Sequence, residues 1–312
     1  MSVSTEVRKP TLWREIRRNA WVYAFLAPML VLFIAFTIWP LVATIYFSFF
    51  DWDGTGFPTQ FVGLENFISS ISSSYFWGAF QNSAFYTLLL AALNLPLTFF
   101  LALLLNQPWL KARVLFRTLF FLPVVTTTAV IGVIATLIIS QNFGPLNELL
   151  ADLGLPRVQL LSNPNTALIT IIVVNFWKSF GYNLVYWLAG LQSVPKELYE
   201  AAELDGAVGW NAVRFITLPL LAPIAAVILL LQLVAGLTQF DLVWTMTQGG
   251  PNFSSEVVTT HIYRLAFANG AVGQYGLASA AALFFGIATM IVAVTQNLII
   301  RRLRGATVGE KA

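Results

Sequence analysis

SVPKELYEAAELDGAVGWNAVRFITLPLLAP, residues Ser193 to Pro223, is the stretch on which the reading of this chain turns. Ser193 suits a helix cap and Pro195 a first helical turn. Glu197 and Glu200 fall where acidic side chains favour the helix dipole. Glu200-Ala201-Ala202-Glu203-Leu204 is strong helix-forming sequence, and Gly206 suits a left-handed stop. Trp210 to Phe215 reads as a second short helix, and Pro219 marks entry into a new apolar run. The pattern predicts a short polar helix, a turn and a second helix between two very apolar segments. Ala201 and Ala202 are small enough to let another surface approach closely, so the segment is shaped to dock a protein.

Outward from this stretch the chain is built for lipid. Of its 312 residues 58% are hydrophobic and 10% charged, where soluble domains carry about 25% charged residues. The mean hydropathy is +0.76. Six apolar stretches are long enough to cross a bilayer, about 20–48, 79–105, 116–140, 166–192, 218–246 and 275–300. Two-residue alternation is absent, which excludes a β-barrel; the expected fold class is all-α with six transmembrane helices. The first run follows Arg14, Arg17 and Arg18 but is too long for a signal peptide and lacks a small-residue cleavage site. The expected organisation is an N-terminal tail over 1–19, a transmembrane region over 20–300 that contains the loop 193–219, and a C-terminal tail over 301–312.

Charge sets the orientation. Fourteen of the seventeen Lys and Arg residues fall on one side: Arg8, Lys9, Arg14, Arg17 and Arg18, then Lys111, Arg113 and Arg117, then Lys196 and Arg214, then Arg301, Arg302, Arg304 and Lys311. Arg157 and Arg264 fall on the other side. Both termini are therefore expected in the cytoplasm of a multi-pass protein of the cell membrane. The net charge of +3 is spread in short clusters rather than a patch, which speaks against nucleic acid. No cysteine and one histidine, His261, leave no catalytic triad, metal site or cofactor to expect.

Charge inside a span is costly, roughly 3 kcal/mol on insertion scales. Lys178, in the fourth span, is such a residue; it either faces a cavity or pairs with a carboxylate or carbonyl for packing. Asp241, near the outer end of the fifth span, is a second charge that fits an interface equally well. Asn175, Ser179 and Tyr182 share one helix face, as do Gln232 and Gly236 in the next span. Hydroxyl and amide groups offer donors and acceptors together, which suits an uncharged polyhydroxylated ligand, with Trp177 or Tyr182 to stack on a sugar ring. The same groups also serve as glue between helices, worth about 0.6 kcal/mol per contact.

The opening stretch resembles the EAA motif of ABC importer permeases: Glu200-Ala201-Ala202, Asp205-Gly206-Ala207 and Ile216-Thr217-Leu218-Pro219 stand at the family's spacing. Phe240-Asp241, Thr247-Gln248-Gly249-Gly250-Pro251, Phe61-Val62-Gly63-Leu64-Glu65-Asn66-Phe67, Phe121-Leu122-Pro123 and Gly144-Pro145-Leu146-Asn147 resemble the maltose-type carbohydrate permeases, of the first-permease type. The resemblance covers roughly residues 15–305. It implies a type I importer permease that is half of a heterodimer, with a second related permease, two ATPase subunits and an extracytoplasmic solute-binding protein. Glu200, Ala201, Ala202, Asp205, Gly206 and Pro219 would then belong to the segment that couples to the ATPase. Asn175, Ser179 and Tyr182 match the family's sugar-contacting helix, with Ser179 where the family has Gly. Gln232 and Gly236 stand where it has Ser and Asn, and Thr128 is a further carry-over; Lys178 joins them as a candidate substrate contact. No Gly-Lys pair exists in the chain, so it holds no P-loop to bind ATP, and it is expected not to be an enzyme itself. The implied function is sugar import by alternating access. The alternatives are an ABC permease for an osmolyte, polyamine or peptide, or an ion-coupled secondary transporter.

Overall fold

The computed structural model describes residues 18–107, 109–268 and 273–309, with side chains through residue 302. Arg8, Lys9, Arg14, Arg17 and Lys311 of the charge argument above lie outside the described residues. Helix α1 spans Ala20–Phe47. It carries a π-type turn over Ile34–Ile38, just before Pro40. A proline lacks the N–H and crowds the carbonyl four residues back, and a wider turn relieves both. A short antiparallel hairpin follows, β1 (Phe50–Asp51) with β2 (Gln60–Phe61). Asn66 fastens it by donating to the Ser48 and Phe50 carbonyls at 3.0 and 2.9 Å. Then come α2 (Glu65–Ser72) and α3 (Ser74–Leu105), whose N-cap Ser73 accepts from the Phe76 amide.

Helices α4 (Arg113–Val125) and α5 (Thr128–Ile139) meet at 99°. The third apolar stretch, expected as one straight span, is therefore broken. The cause is readable in Pro123-Val124-Val125-Thr126-Thr127-Thr128, a proline followed by five β-branched residues of poor helix propensity. Thr126 and Thr127 are extended, with ψ of 141° and 145°. Helix α6 (Pro145–Asp152) starts on Gly144-Pro145, and Asn147 ties its loop by bonds to Ser140 and Val158.

Helix α7 (Ala167–Ser193) is the fourth span, and α8 (Lys196–Leu204) the polar helix after it. Ser193 closes α7 by donating to the Gly190 carbonyl at 2.7 Å and does not cap α8, whose N-cap position is Pro195. Helix α9 runs over Trp210–Leu237, so the expected second short helix is the first part of the fifth span. A π-type turn at Val213–Thr217 precedes Pro219, the same relation as at Pro40. The expected run to residue 246 breaks after Leu237, and α10 (Asp241–Met246) is a separate short helix with exposed Asp241 in its first turn. Helix α11 is Val258–Tyr263, and α12 (Tyr275–Gly309) continues past residue 300. Among the described residues five helices are long and apolar enough to cross a membrane, or six when the bent α4–α5 pair is counted as one span.

Helix α3 lies along α7, and α9 packs on both; α12 closes on α9, α1 rests on α12, and α10 sits on α5. Close approach uses small residues, as expected where lipid supplies no hydrophobic drive between helices. A Cβ at Gly181 would overlap the Phe120 carbonyl oxygen and come within 2.8 Å of Val124 Cγ2, so α4 crosses α7 there nearly backbone to backbone. The buried core beside the crossing includes Tyr86, Leu90, Ile131, Ile171, Ile172 and Leu242.

Candidate functional site

Four helices converge on a polar cavity of about 350 Å³, inside the range of roughly 300–1,000 Å³ usual for small-molecule sites. Helix α7 supplies Asn175, Lys178, Ser179, Tyr182, Asn183 and Tyr186; α9 supplies Leu231, Gln232 and Ala235; Leu90 comes from α3 and Thr128 from the start of α5, with Gln239 just past α9. Asn175, Ser179, Tyr182 and Tyr186 share a face because an α-helix turns every 3.6 residues. The break before Thr128 stands at this wall, which is where irregular backbone is tolerated at membrane depth. Six of the seven expected substrate residues thus line one cavity. Gly236 does not; its α-carbon packs against Thr87 of α3, where a Cβ would lie 2.8 Å from the Thr87 hydroxyl.

The bonding around the cavity separates committed groups from free ones. Asn175 donates through Nδ2 to the Tyr86 hydroxyl at 2.7 Å. The Ser179 hydroxyl donates to the Asn175 carbonyl at 2.7 Å and accepts from Asn94 Nδ2 at 2.9 Å. Asn183 donates to the Ser179 carbonyl. Gln232 is 7% exposed, and its Oε1 is buried without a hydrogen-bond partner. Lys178 is also 7% exposed. Among the described residues no carboxylate pairs with it; its Nζ lies 5.7 Å from the centre of the Tyr182 ring. Of the two readings open for Lys178, cavity lining is the observed one. Two residues of this network, Tyr86 and Asn94, were not singled out from the sequence. The signal was there: Tyr86, Leu90 and Asn94 fall at i, i+4 and i+8 on α3, a stripe interrupting an apolar span.

The segment after α7 forms a compact knob. Asp205, Gly206 and Ala207 donate to the Ala201, Glu203 and Ala202 carbonyls, which closes α8 on Gly206 at φ +79°. Ala202 is buried, whereas Glu200, Ala201, Asp205 and Gly206 are exposed. Leu204 is 91% exposed and Val208 and Trp210 are exposed beside it, an apolar tip on a polar helix. The Tyr199 and Thr217 hydroxyls bond at 2.9 Å, tying α8 to the base of α9, the helix that carries Gln232.

A third cluster fixes the segment after α10. Arg264 Nε donates to Glu256 Oε1 at 2.7 Å and Nη2 to the Gln248 carbonyl at 2.5 Å. His261 Nδ1 lies 3.6 Å from Glu256 Oε2. Asn82 of α3 donates to the carbonyls of Ser254 and Glu256, and the Thr259 hydroxyl to that of Gln239, a cavity residue.

Comparison with known proteins agrees with this architecture. Residues 94–305 match the family described as the binding-protein-dependent transport system inner membrane component. The chain is 31% identical to the arabinooligosaccharides transport system permease protein of Bacillus subtilis, over 97% of this chain and 95% of that protein. It is 33% identical to the trehalose/maltose transport system permease protein of Thermococcus litoralis, over 89% of this chain and 91% of that protein. Among solved structures it resembles a chain of a bacterial alginate ABC transporter in complex with alginate pentasaccharide-bound periplasmic protein, with a TM-score of 0.82 and 28% identity over 94% of this chain and 98% of the other.

Proposed function

This chain belongs to the family of binding-protein-dependent transport system inner membrane components, and from that premise we propose that it is one half of the translocation pathway of an ATP-driven sugar importer. A second related permease forms the other half. Two ATPase subunits hydrolyse ATP, and an extracytoplasmic binding protein delivers the sugar. The Lys and Arg distribution orients both termini and α8 toward the cytoplasm. The ATPase then meets the α8 knob, and its closure is passed through Tyr199 and Thr217 to α9. Alternating access follows if the two states differ in affinity for both sugar and nucleotide.

One observation carries the substrate site. Gln232 Oε1 is a buried acceptor without a partner, and it faces the cavity that Asn175, Tyr182 and the carboxylate-free Lys178 line. A buried polar group left unpaired costs about 1–3 kcal/mol, and a ligand rich in hydroxyls removes that cost. The substrates named for these two relatives are saccharides, which supports the same class here. Alanine at Asn175, Tyr182 or Gln232 is expected to weaken uptake by about 2- to 10-fold for each hydrogen bond lost to the ligand, with the ATPase still assembled. The assay is ATP-dependent uptake of labelled maltose, trehalose, arabino-oligosaccharide or alginate oligosaccharide by membrane vesicles. Normal uptake in all three variants would move the site elsewhere and leave these residues as glue between helices. Transport of a polyamine or peptide with no saccharide taken up would overturn the substrate class. The unpaired Lys178 favours a second reading, an acidic saccharide, which Lys178→Met distinguishes: an acidic sugar loses most of its uptake, a neutral one only a few-fold.

A further inference from the structure

We propose that Tyr86 and Asn94, side chains of α3 that do not line the cavity, are positioning residues that hold Asn175 and Ser179 in the orientation the α7 wall offers a ligand. The inference rests on the cavity being the substrate site. Both residues are 0% exposed and stand eight positions apart on one face of α3, against Asn175 and Ser179, four apart on α7. Each makes one bond across the helix pair. The Tyr86 hydroxyl accepts from Asn175 Nδ2, and Asn94 Nδ2 donates to the Ser179 hydroxyl.

The consequence lies in what remains. Asn175 has a carbonyl oxygen and two N–H groups to offer. With one N–H held by Tyr86, Asn175 keeps its Oδ1 acceptor and its second N–H. The Ser179 hydrogen is spent on the Asn175 carbonyl, so Ser179 can only accept. Lys178, one helical position before Ser179, can only donate. The wall therefore offers an acceptor and one donor at Asn175, an acceptor at Ser179 and a donor at Lys178. A carboxylate or ether oxygen can only accept, so it leaves the Asn175 and Ser179 acceptors unused. A hydroxyl donates to Asn175 Oδ1 and accepts from Lys178 at once, and neighbouring hydroxyls on a sugar ring meet both. Tyr86 thus acts without touching the ligand, by holding the Asn175 side chain in one place at the wall.

The test is a double-mutant cycle in the assembled transporter, using as probe the saccharide from the panel above that wild-type vesicles take up. Tyr86→Phe keeps the ring that fills the core and removes the hydroxyl. It is expected to raise the half-saturating concentration about 3- to 10-fold with the maximal rate unchanged, and to add nothing when Asn175 is already alanine. An unchanged half-saturation, or a loss that adds fully to that of Asn175→Ala, overturns the proposal. So does a fall in maximal rate with a matching drop in thermal unfolding midpoint, which marks a purely structural Tyr86. An Asn175→Ala variant with normal uptake overturns this proposal without any change at Tyr86, and it overturns the site reading as well only when the Tyr182 and Gln232 variants are also normal. Asn94→Leu reports the second rung in the same assay, with the same split expected.

Discussion

Gly206→Val is expected to separate ATP hydrolysis from transport. Gly206 closes α8 at φ +79°, a region that costs a residue with a Cβ roughly 1–2 kcal/mol. Nothing lies within 4 Å of a Cβ built there, so the penalty is one of backbone conformation and not of collision. A strain of that size leaves about 5- to 30-fold fewer molecules with the knob correctly formed. The damage is local: Ala207 and Gly206 lose the carbonyls of Ala202 and Glu203, and the apolar tip at Leu204 and Val208 shifts away from its docking position. The cavity is untouched. Vesicles carrying this variant are expected to receive sugar-loaded binding protein normally and to lose most uptake, either through uncoupled ATP hydrolysis or through loss of the ATPase on purification. Gly206→Asn is the control, since asparagine tolerates the left-handed region better than a β-branched residue; it is expected to keep most activity. Equal activity in the valine and glycine proteins would mean that the turn is not part of the coupling surface.

Arg264→Ala is expected to be the largest single loss of stability among substitutions away from the cavity. The Glu256 side chain is 2% exposed and pairs with Arg264 at 2.7 Å. Deleting the cation strands a buried carboxylate, and breaking such a pair costs about 3–5 kcal/mol. The guanidinium also lies 5.1 Å from the Phe253 ring centre and holds the Gln248 carbonyl, so the segment between α10 and α11 loses its anchor. Thermal unfolding in detergent measures the loss. Replacing both partners, Glu256→Gln with Arg264→Met, removes the stranded charge and is expected to recover much of it. If the single variant loses under 1 kcal/mol, the cluster is not what orders this segment.

The parts that were legible in the sequence are those where water or a special backbone leaves a mark. The α8 knob showed itself because polar sequence between apolar runs has to be explained, and because Gly206 stands where only a left-handed residue ends the helix. The α7 face showed itself through the spacing of Asn175, Ser179 and Tyr182. Lipid erases other marks. Breaks at Thr126–Thr127 and after Leu237 lie inside stretches apolar enough on average to read as single spans, so the few polar residues at them do not stand out as helix ends. Only local chemistry signals them: five β-branched residues after Pro123 in one case, and Gly236 followed by Thr238, Gln239 and Asp241 in the other. Gly236 shares a face with Gln232 by spacing, yet a glycine on a helix face serves close packing as readily as an open wall, and here it meets Thr87. Tyr86 and Asn94 act from a neighbouring helix, so no pattern within the α7 sequence points to them; the pairing of α3 with α7 has to be known first.

The account's central claim is that a separate ATPase drives this chain through α8. Ala201 is exposed on that helix, and the chain contains no cysteine, so Ala201→Cys places one thiol at the expected contact. Membranes holding the intact transporter are treated with a short thiol cross-linker reactive with the partner surface, and the captured protein is identified by mass spectrometry. The predicted result is a cross-link to a protein bearing a Gly-x-x-x-x-Gly-Lys phosphate-binding loop, in a complex whose sugar uptake requires ATP. No such protein captured at Ala201, with sugar uptake running on an ion gradient in the absence of ATP, would contradict the claim and make the chain a secondary transporter.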